Sequence, residues 1–363
     1  MRDQRYSRHY SLKDFGEAGQ LKLQKASVLV IGAGGLGCPA LQYLVAAGIG
    51  TIGIVDDDVV SLSNLQRQVL YTVADIGLPK ANCAAEMLRK LNPEINIQTY
   101  LTHVNTDNAL TLLSDYDIVV DGTDNFASRY LINDACVILG KPLVFAAVYQ
   151  YEGQVAIFNV EDAEGLKTSY RDLFETPPSA ADAPDCNVAG VLGVLPGIIG
   201  SMQAAEVIKL IAGIGKPLIN KLMVYNLLTA ESFTLKLTQA IEAKELAPKT
   251  AEEFLATDYE WFCGTTLADV EIIDETRFYE LEANEGVAII DVREFGEYPT
   301  PEFEYEQLPL SSLAENLSSI NKDTIVVFCQ SGKRSLQAAT IIKEKFGTSK
   351  TIYSLEGGIL NLY

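Results

Sequence analysis

The sequence predicts an α/β protein of two domains, a larger one followed by a smaller one. Three observations predict it. Short uncharged apolar runs such as Val28–Ile31 and Thr51–Val55 read as strands buried in a parallel sheet, and helix patterns separate them. At 363 residues the chain is long for one domain. A second set of strand patterns, Val270–Ile273, Val287–Asp291 and Thr324–Phe328, begins after a charged stretch at 239–251. The first domain is expected over 1–245, a linker over 246–266 and the second domain over 267–363.

Residues 1–25 are polar and charged, with Arg2, Arg5, Arg8 and His9 near the start. Leu12, Phe15, Leu21 and Leu23 suggest a helical arm packed on a neighbour. The strand Val28–Ile31 then runs into Gly32, Gly34 and Gly37, spaced G-x-G-x-x-G, and into an apolar helix pattern over Leu36–Ala47. Gly32 permits the tight turn, Gly34 lets backbone approach a phosphate, and Gly37 lets helix pack on strand. The helix N-terminus offers unpaired N–H groups to an anion. Asp56 closes the strand Thr51–Val55 and can take a ribose hydroxyl. Alone, this motif says adenine nucleotide and does not separate NAD from ATP.

The loop after Asp58 holds Asn64, Arg67 and Gln68 close together, where an open α/β sheet binds its ligand. Lys80 then sits near the start of a helix that ends before Pro93. A cation there opposes the helix dipole and hints at an anionic partner. Ile95–Tyr100 reads as a strand, and His103, with no ligand set around it, reads as an ordinary residue. Ile118–Val120 is a short strand with Asp121 and Asp124 at its carboxyl end, and Asp124 suits magnesium or a substrate group. The alternative is that Asp124 and Asn125 only cap the next helix. Residues 142–160 alternate as a hairpin with Glu152-Gly153 as its turn. Cys186 ends a loose segment and precedes Val188–Ala205, which has no charged residue but holds glycines and Pro196 and reads as a buried helix. In the second domain Cys329–Ser335 joins a strand to a helix. Such a loop is an anion nest, and its N–H groups with Lys333 and Arg334 favour a Cys329 thiolate.

Composition limits the partners. The hydrophobic fraction of 48% is ample for real cores, and the net charge of -20 opposes a broad nucleic-acid or membrane surface. The six cysteines, Cys38, Cys83, Cys136, Cys186, Cys263 and Cys329, are scattered in a chain with no signal peptide. That reads as reduced and cytoplasmic.

The motifs of the first domain together resemble the MoeB/ThiF/HesA branch of the E1-like, ubiquitin-activating superfamily. They are Arg5 to Arg8 in RYSR, GAGGLG at 32–37, DDD at 56–58, SLSNLQRQ at 61–68, GLPK ending at Lys80, DGTDN at 121–125, and Cys186 before NVAGV. The second domain resembles a rhodanese domain, through IIDVRE, CQSGKRS and LEGGI at 355–359. The resemblance implies a Rossmann-like adenylation domain followed by a smaller rhodanese-like domain. It implies an adenylyltransferase and sulfurtransferase that uses ATP and Mg2+. Its partner is a small ubiquitin-like sulfur-carrier protein ending in Gly-Gly, and a donor such as a cysteine desulfurase supplies the persulfide. No nucleic acid or membrane is implied.

Carried over by position, the glycine turn including Gly35 holds phosphate and Asp56 holds the ribose. Asp58, Asn64, Arg67, Gln68 and Lys80 surround the triphosphate. Asp124 holds magnesium beside Asn125. Arg8 reaches the nucleotide of the other subunit, so a homodimer is part of the site. Cys186 matches the E1-type crossover cysteine, whose role stays open. Cys329 carries the persulfide, and the four residues between it and Arg334 are the sulfurtransferase spacing. The pathway is left open among molybdopterin, thiamine thiazole, cysteine and tRNA thiolation. An NAD-dependent oxidoreductase and a non-catalytic scaffold are the alternatives; Arg67, Lys80 and Asp124 argue against the first, and the intact ATP-site residues and Cys329 loop against the second.

Two departures stand out. Relatives bind structural zinc through two C-x-x-C pairs, which fall here at Ser169 and Asp172 and at Glu260 and Cys263. One thiol, a serine and two acids make a poor zinc site, so no structural zinc is expected. The segment from Glu294 to Leu310 lacks the histidine-glycine turn usual after the rhodanese arginine motif, which implies a reshaped pocket.

Overall fold

The computed structural model describes residues 4–175, 190–240, 247–259, 270–284, 286–330 and 332–362. The chain divides into two compact units, the second taking up at Asp258.

In the first unit β1 (Ser27–Ile31), β2 (Thr51–Val55), β3 (Asn96–Tyr100), β4 (Ile118–Asp121), β5 (Leu143–Tyr149), β6 (Glu152–Phe158), β7 (Lys221–Asn226) and β8 (Ser232–Lys236) form one sheet. Its order is β3-β2-β1-β4-β5-β6-β7-β8. Pairing is parallel from β3 to β5 and antiparallel from β5 to β8. The first strand lies between β2 and β4, so the chain leaves it in both directions. A crevice opens at that point outside the carboxyl ends of the strands. Val28, Leu29 and Val30 are fully buried, as the uncharged run requires.

The helix Val194–Ala212 is long and apolar enough to cross a membrane by length and composition. Its residues Leu195, Ile199, Gln203 and Val207 are buried against the protein itself. The hairpin turn differs from the expectation. Tyr149 pairs with Glu152, so Gln150 and Tyr151 make the turn and Gln150 takes φ +51°. Gly153 lies inside β6 instead, where a Cβ would overlap the Ile199 side chain. The glycine serves close packing of helix on sheet rather than chain reversal.

In the N-terminal arm Phe15 and Leu23 are buried, but Leu12 and Leu21 are exposed. The stretch read as a linker includes the helix Ala251–Ala256, which belongs to the first unit and buries Phe254.

The second unit holds a five-stranded sheet of order β11-β10-β12-β13-β9, parallel throughout. Its strands are β9 (Glu271–Ile273), β10 (Val287–Asp291), β11 (Glu306–Gln307), β12 (Thr324–Phe328) and β13 (Thr351–Leu355). The central strand β12 is buried from Ile325 to Phe328 and ends directly at Cys329.

Candidate active site

A cavity of about 720 Å³ opens at the carboxyl ends of β1, β2 and β4. Its floor is the glycine turn. Gly32 has φ +89°, and a Cβ there would lie 2.8 Å from the Gly122 carbonyl oxygen. A Cβ on Gly37 would overlap the Gly32 carbonyl. Both positions therefore require glycine, while Gly34 stands open to the cavity with only Gln68 near. The Tyr71 hydroxyl donates to the Ala33 carbonyl at 2.8 Å and braces the turn from below.

Asp56 ties the turn to β2. Its Oδ2 accepts the Ala33 N–H at 2.7 Å and its Oδ1 accepts the Asp58 N–H at 3.0 Å. Burial raises its pKa above the usual aspartate value. The loop that follows folds back on itself. The Lys80 N–H donates to the Asp58 carbonyl at 2.9 Å, and Val59 bridges Pro79. That return delivers the Lys80 side chain to the cavity wall, where Nζ pairs with Asp58 Oδ2 at 2.7 Å. Asn64 Oδ1 caps its own turn by accepting the Ser61 N–H at 3.1 Å, and the Arg67 guanidinium donates to the Ser63 carbonyl at 3.2 Å. Both side chains line the cavity. Gln68 is buried there with Oε1 lacking a hydrogen-bond partner.

The two acids of β4 and its following loop separate in role. Asp121 is fully buried, and its Oδ1 accepts the Thr123 N–H at 2.9 Å and hydroxyl at 2.6 Å. Burial pushes its pKa up, and its Oδ2 has no partner. Asp124 is exposed on the cavity wall. Asn125, not Asp124, caps the next helix, its Oδ1 accepting the Ser128 N–H at 2.8 Å.

The cavity thus gathers Gly32, Gly34, Gly35, Asp56, Asp58, Asn64, Arg67, Gln68, Lys80, Asp124 and Asn125. Gly37 lies just beneath it. Arg8, exposed on the short helix Ser7–Tyr10, is not among the lining residues. Cys186, Glu260 and Cys263 lie outside the described residues, as does the Lys333 side chain. His103, read from the sequence as an ordinary residue, lines the cavity just past the end of β3, 3.8 Å from Asp57. Arg129, which the sequence does not single out, is buried with Nη2 on the Thr123 carbonyl at 3.3 Å. Arg129 follows Asn125 by one helical turn, and that spacing was the available signal. For His103 only its place after β3 pointed to the site.

Of the four positions where the family resemblance places zinc ligands, the two described ones, Ser169 and Asp172, are engaged in hydrogen bonds. Asp172 Oδ2 accepts the Ser169 N–H at 2.7 Å and hydroxyl at 3.1 Å. Its Oδ1 accepts the Ala240 N–H at 2.8 Å. Between them Arg171 is buried and makes two hydrogen bonds to Asp134, at 2.8 and 2.7 Å. Tyr170 packs among Tyr130, Phe145, Phe158 and Phe174.

In the second unit the loop from Cys329 to Arg334 is held from one side by the chain that follows β13. The Ile359 N–H donates to the Cys329 carbonyl at 2.7 Å, and the Leu360 N–H donates to the Gln330 carbonyl at 3.2 Å. Gly332 takes φ +86° against the Gly357 backbone, and the Ser335 hydroxyl donates to the Gly332 carbonyl at 2.9 Å. The loop leads into the helix Lys333–Phe346. Arg334 does not stand free beside the thiol. It makes a two-pronged ion pair with Glu297, at 2.5 and 2.6 Å. Burial pushes the Cys38 thiol up to about 12 and the Cys136 thiol well above its ordinary value, which disqualifies both as nucleophiles near neutral pH.

The sheet orders and the two strand-to-helix loops define a Rossmann-like domain followed by a smaller rhodanese-like domain. The chain belongs to the ThiF family, which matches residues 6–246, and a Rhodanese-like domain matches residues 274–362. It is 42% identical over 367 residues to the probable adenylyltransferase/sulfurtransferase MoeZ of Mycobacterium tuberculosis, covering 98% of this chain and 91% of that one. It is 48% identical over 261 residues to the sulfur carrier protein adenylyltransferase of Thermus thermophilus, covering 72% and 96%. It is 35% identical over 392 residues to adenylyltransferase and sulfurtransferase MOCS3 of Xenopus laevis, covering 98% and 85%. The crystal structure of E. coli MccB with ATP aligns with a TM-score of 0.55 at 23% identity, over 66% of this chain and 73% of that one. That likeness concerns the fold.

Proposed function

We propose that this enzyme activates the C-terminal glycine of a small ubiquitin-like sulfur-carrier protein with ATP. The terminal sulfur of a Cys329 persulfide then attacks the acyl-adenylate and AMP leaves; a second thiol cleaves the resulting acyl disulfide, freeing the thiocarboxylate and remaining joined to Cys329 as a disulfide. The observation that carries this reading is the buried Lys80, paired with Asp58 and facing Arg67, Asn64 and Asp124 across one cavity above the glycine turn. A dinucleotide needs no such set of cations and acids around its phosphates, whereas a triphosphate does.

In this reading the glycine turn and the helix start at Gly37 receive phosphate oxygens through backbone N–H groups. Asp56 takes the ribose with the lone pairs left after Ala33 and Asp58. The carrier's carboxylate attacks the α-phosphate and pyrophosphate leaves, while Lys80, Arg67 and Asn64 stabilise the charge that develops. Asp124 fits a magnesium ligand, because its carboxylate is exposed on the cavity wall and is not used in capping. The metal supplies charge neutralisation on the phosphates when bound. No step involves zinc, since Ser169 and Asp172 are used in hydrogen bonds.

Arg8 serves the cavity of a second subunit, which makes the enzyme a homodimer. Its exposure and its absence from the lining of its own cavity support that assignment. The persulfide reaches Cys329 from a protein donor of the cysteine-desulfurase type. The described cysteines Cys38, Cys83, Cys136 and Cys329 are free thiols, which supports a reducing, cytoplasmic setting. The net charge of -20 argues against nucleic acid and anionic membranes as partners.

ATP–pyrophosphate exchange with a panel of small carriers ending in Gly-Gly tests this. Exchange with one carrier, lost when its last glycine is removed, is expected and names the pathway. No exchange with any carrier refutes the acceptor class.

A further inference from the structure

We propose that Glu297 sets donor specificity at Cys329 by neutralising Arg334, so that the loop disfavours doubly anionic sulfur donors and favours donors of low charge. The proposal rests on the reading of Cys329 as the persulfide carrier.

The geometry is specific. Glu297 lies in the segment that lacks the usual histidine-glycine turn. Its Oε1 accepts the Glu294 N–H at 2.8 Å, which orients the carboxylate. Oε1 and Oε2 then receive Nη1 and Nη2 of Arg334 at 2.5 and 2.6 Å. A two-pronged pair fixes the guanidinium in plane and uses its outward donors. Glu294 adds negative charge beside the same arginine, held by the Ser311 hydroxyl at 3.1 Å. The other nearby guanidinium is also committed. Arg293 is buried on Asp291 at 2.7 Å, and its remaining donors reach the Pro299 carbonyl at 2.9 Å and Gln330 Oε1 at 3.3 Å. Gln330 closes the link by donating to the Tyr298 carbonyl at 3.0 Å. Thus, among the described side chains, Arg293 and Arg334 stand against Asp291, Glu294 and Glu297 around the loop.

The consequence follows from charge. Thiosulfate loads a thiolate by a balanced exchange. The Cys329 thiolate attacks the outer sulfur, the S–S bond breaks, and sulfite leaves with the electron pair. The donor must bring two negative charges to a site whose arginines are already matched. An organic thiosulfonate reacts identically, releasing a sulfinate, but brings one charge. A persulfide on a protein cysteine brings at most one. Like charge facing like charge is the penalty that separates these donors.

The test uses the full-length protein with thiosulfate and benzenethiosulfonate as donors and cyanide as acceptor. The ratio of donor kcat/KM values is compared in the wild type, E297Q and E297D. E297Q is expected to shift the ratio towards thiosulfate by about tenfold, chiefly through the thiosulfate KM, the size of one like-charge contact in a partly screened site. E297D, which keeps the carboxylate, is expected to stay within about twofold of the wild type on the same grounds. An unchanged ratio in E297Q overturns the proposal. The wild type gives an independent sign test should E297Q fail to fold. Screening repulsion lowers the thiosulfate KM as salt is raised, whereas a KM that rises with salt reveals attraction and overturns it. Intact mass after benzenethiosulfonate treatment separates the two readings. Sulfur on Cys329 with an unmoved ratio defeats this inference alone, and no sulfur on Cys329 from either donor defeats the persulfide reading with it.

Discussion

Lys80 and Asp58 form an ion pair at 2.7 Å in which the lysine side chain is 6% exposed and the aspartate 70%. The buried partner is the one that needs the other. An ammonium at the start of the helix Lys80–Leu91 meets the positive end of the helix dipole, and Asp58 holds it at the cavity wall. Replacing Lys80 with Ala is expected to lower pyrophosphate exchange by about 10²–10³, the usual loss when one charge-stabilising donor is removed. Asp58→Asn keeps the ammonium in place and is expected to lose about tenfold, on the scale of a single charged hydrogen bond. Equal losses in the two variants would show that the pair acts only as a unit.

Asp124→Ala separates the two chemistries. It is expected to reduce pyrophosphate exchange by at least about 10², while Cys329 still takes sulfur. Exchange is followed with labelled pyrophosphate and loading by intact mass. Normal exchange in this variant refutes the role assigned to Asp124.

Arg171 and Asp134 form a buried ion pair next to Ser169 and Asp172. Its side chains are 2% and 0% exposed. Removing Asp134 alone leaves a buried guanidinium without its carboxylate, and urea unfolding is expected to register a loss of about 3–5 kcal/mol. The wild-type protein, purified without chelator, is expected to contain no stoichiometric zinc and to keep its melting temperature in EDTA. One zinc per chain in metal analysis contradicts this.

The Glu297–Arg334 pair gives an acid dependence of known sign. Arg334 holds the Glu297 carboxyl below the ordinary 4.5 of a glutamate. A lowered folded pKa means stability that is present above 4.5 and is lost as pH falls through the folded value. The contribution is small because Glu297 is 30% exposed. Thermal unfolding of E297Q is therefore expected to fall below wild type near neutral pH and to converge with it as pH falls from 4.5 through the lowered folded value. A gap that stays constant into acid would assign the loss to packing.

Most elements were legible in the chain because their signals are local. The strands Thr51–Val55, Val287–Asp291 and Thr324–Phe328 match their expected bounds, since predominantly apolar runs of that length admit little else between breakers. Gly153 misled for a physical reason. A glycine at a hairpin looks like a turn residue, and only the contact with Ile199 shows that it clears space for a helix. Arg334 shows the same limit of a local reading. The motif places a cation near the cysteine, and only the fold brings Glu297, distant in sequence, to within 2.6 Å of that cation.

By itself the sequence determined the two α/β domains, the glycine turn, the placement of Lys80 and Asp124 at strand or helix ends, and the cysteine loop. Each depends on residues within one turn or one strand-to-helix junction, where spacing dictates geometry. The tertiary structure decided which groups meet. It joined Lys80 to Asp58 through a returning loop, and set His103 at the cavity through the β3-β2-β1 order. It bonded Asp172 to Ser169 and Ala240, and closed Glu297 on Arg334. Those pairings depend on through-space distance between segments far apart in the chain, and no local pattern encodes that distance.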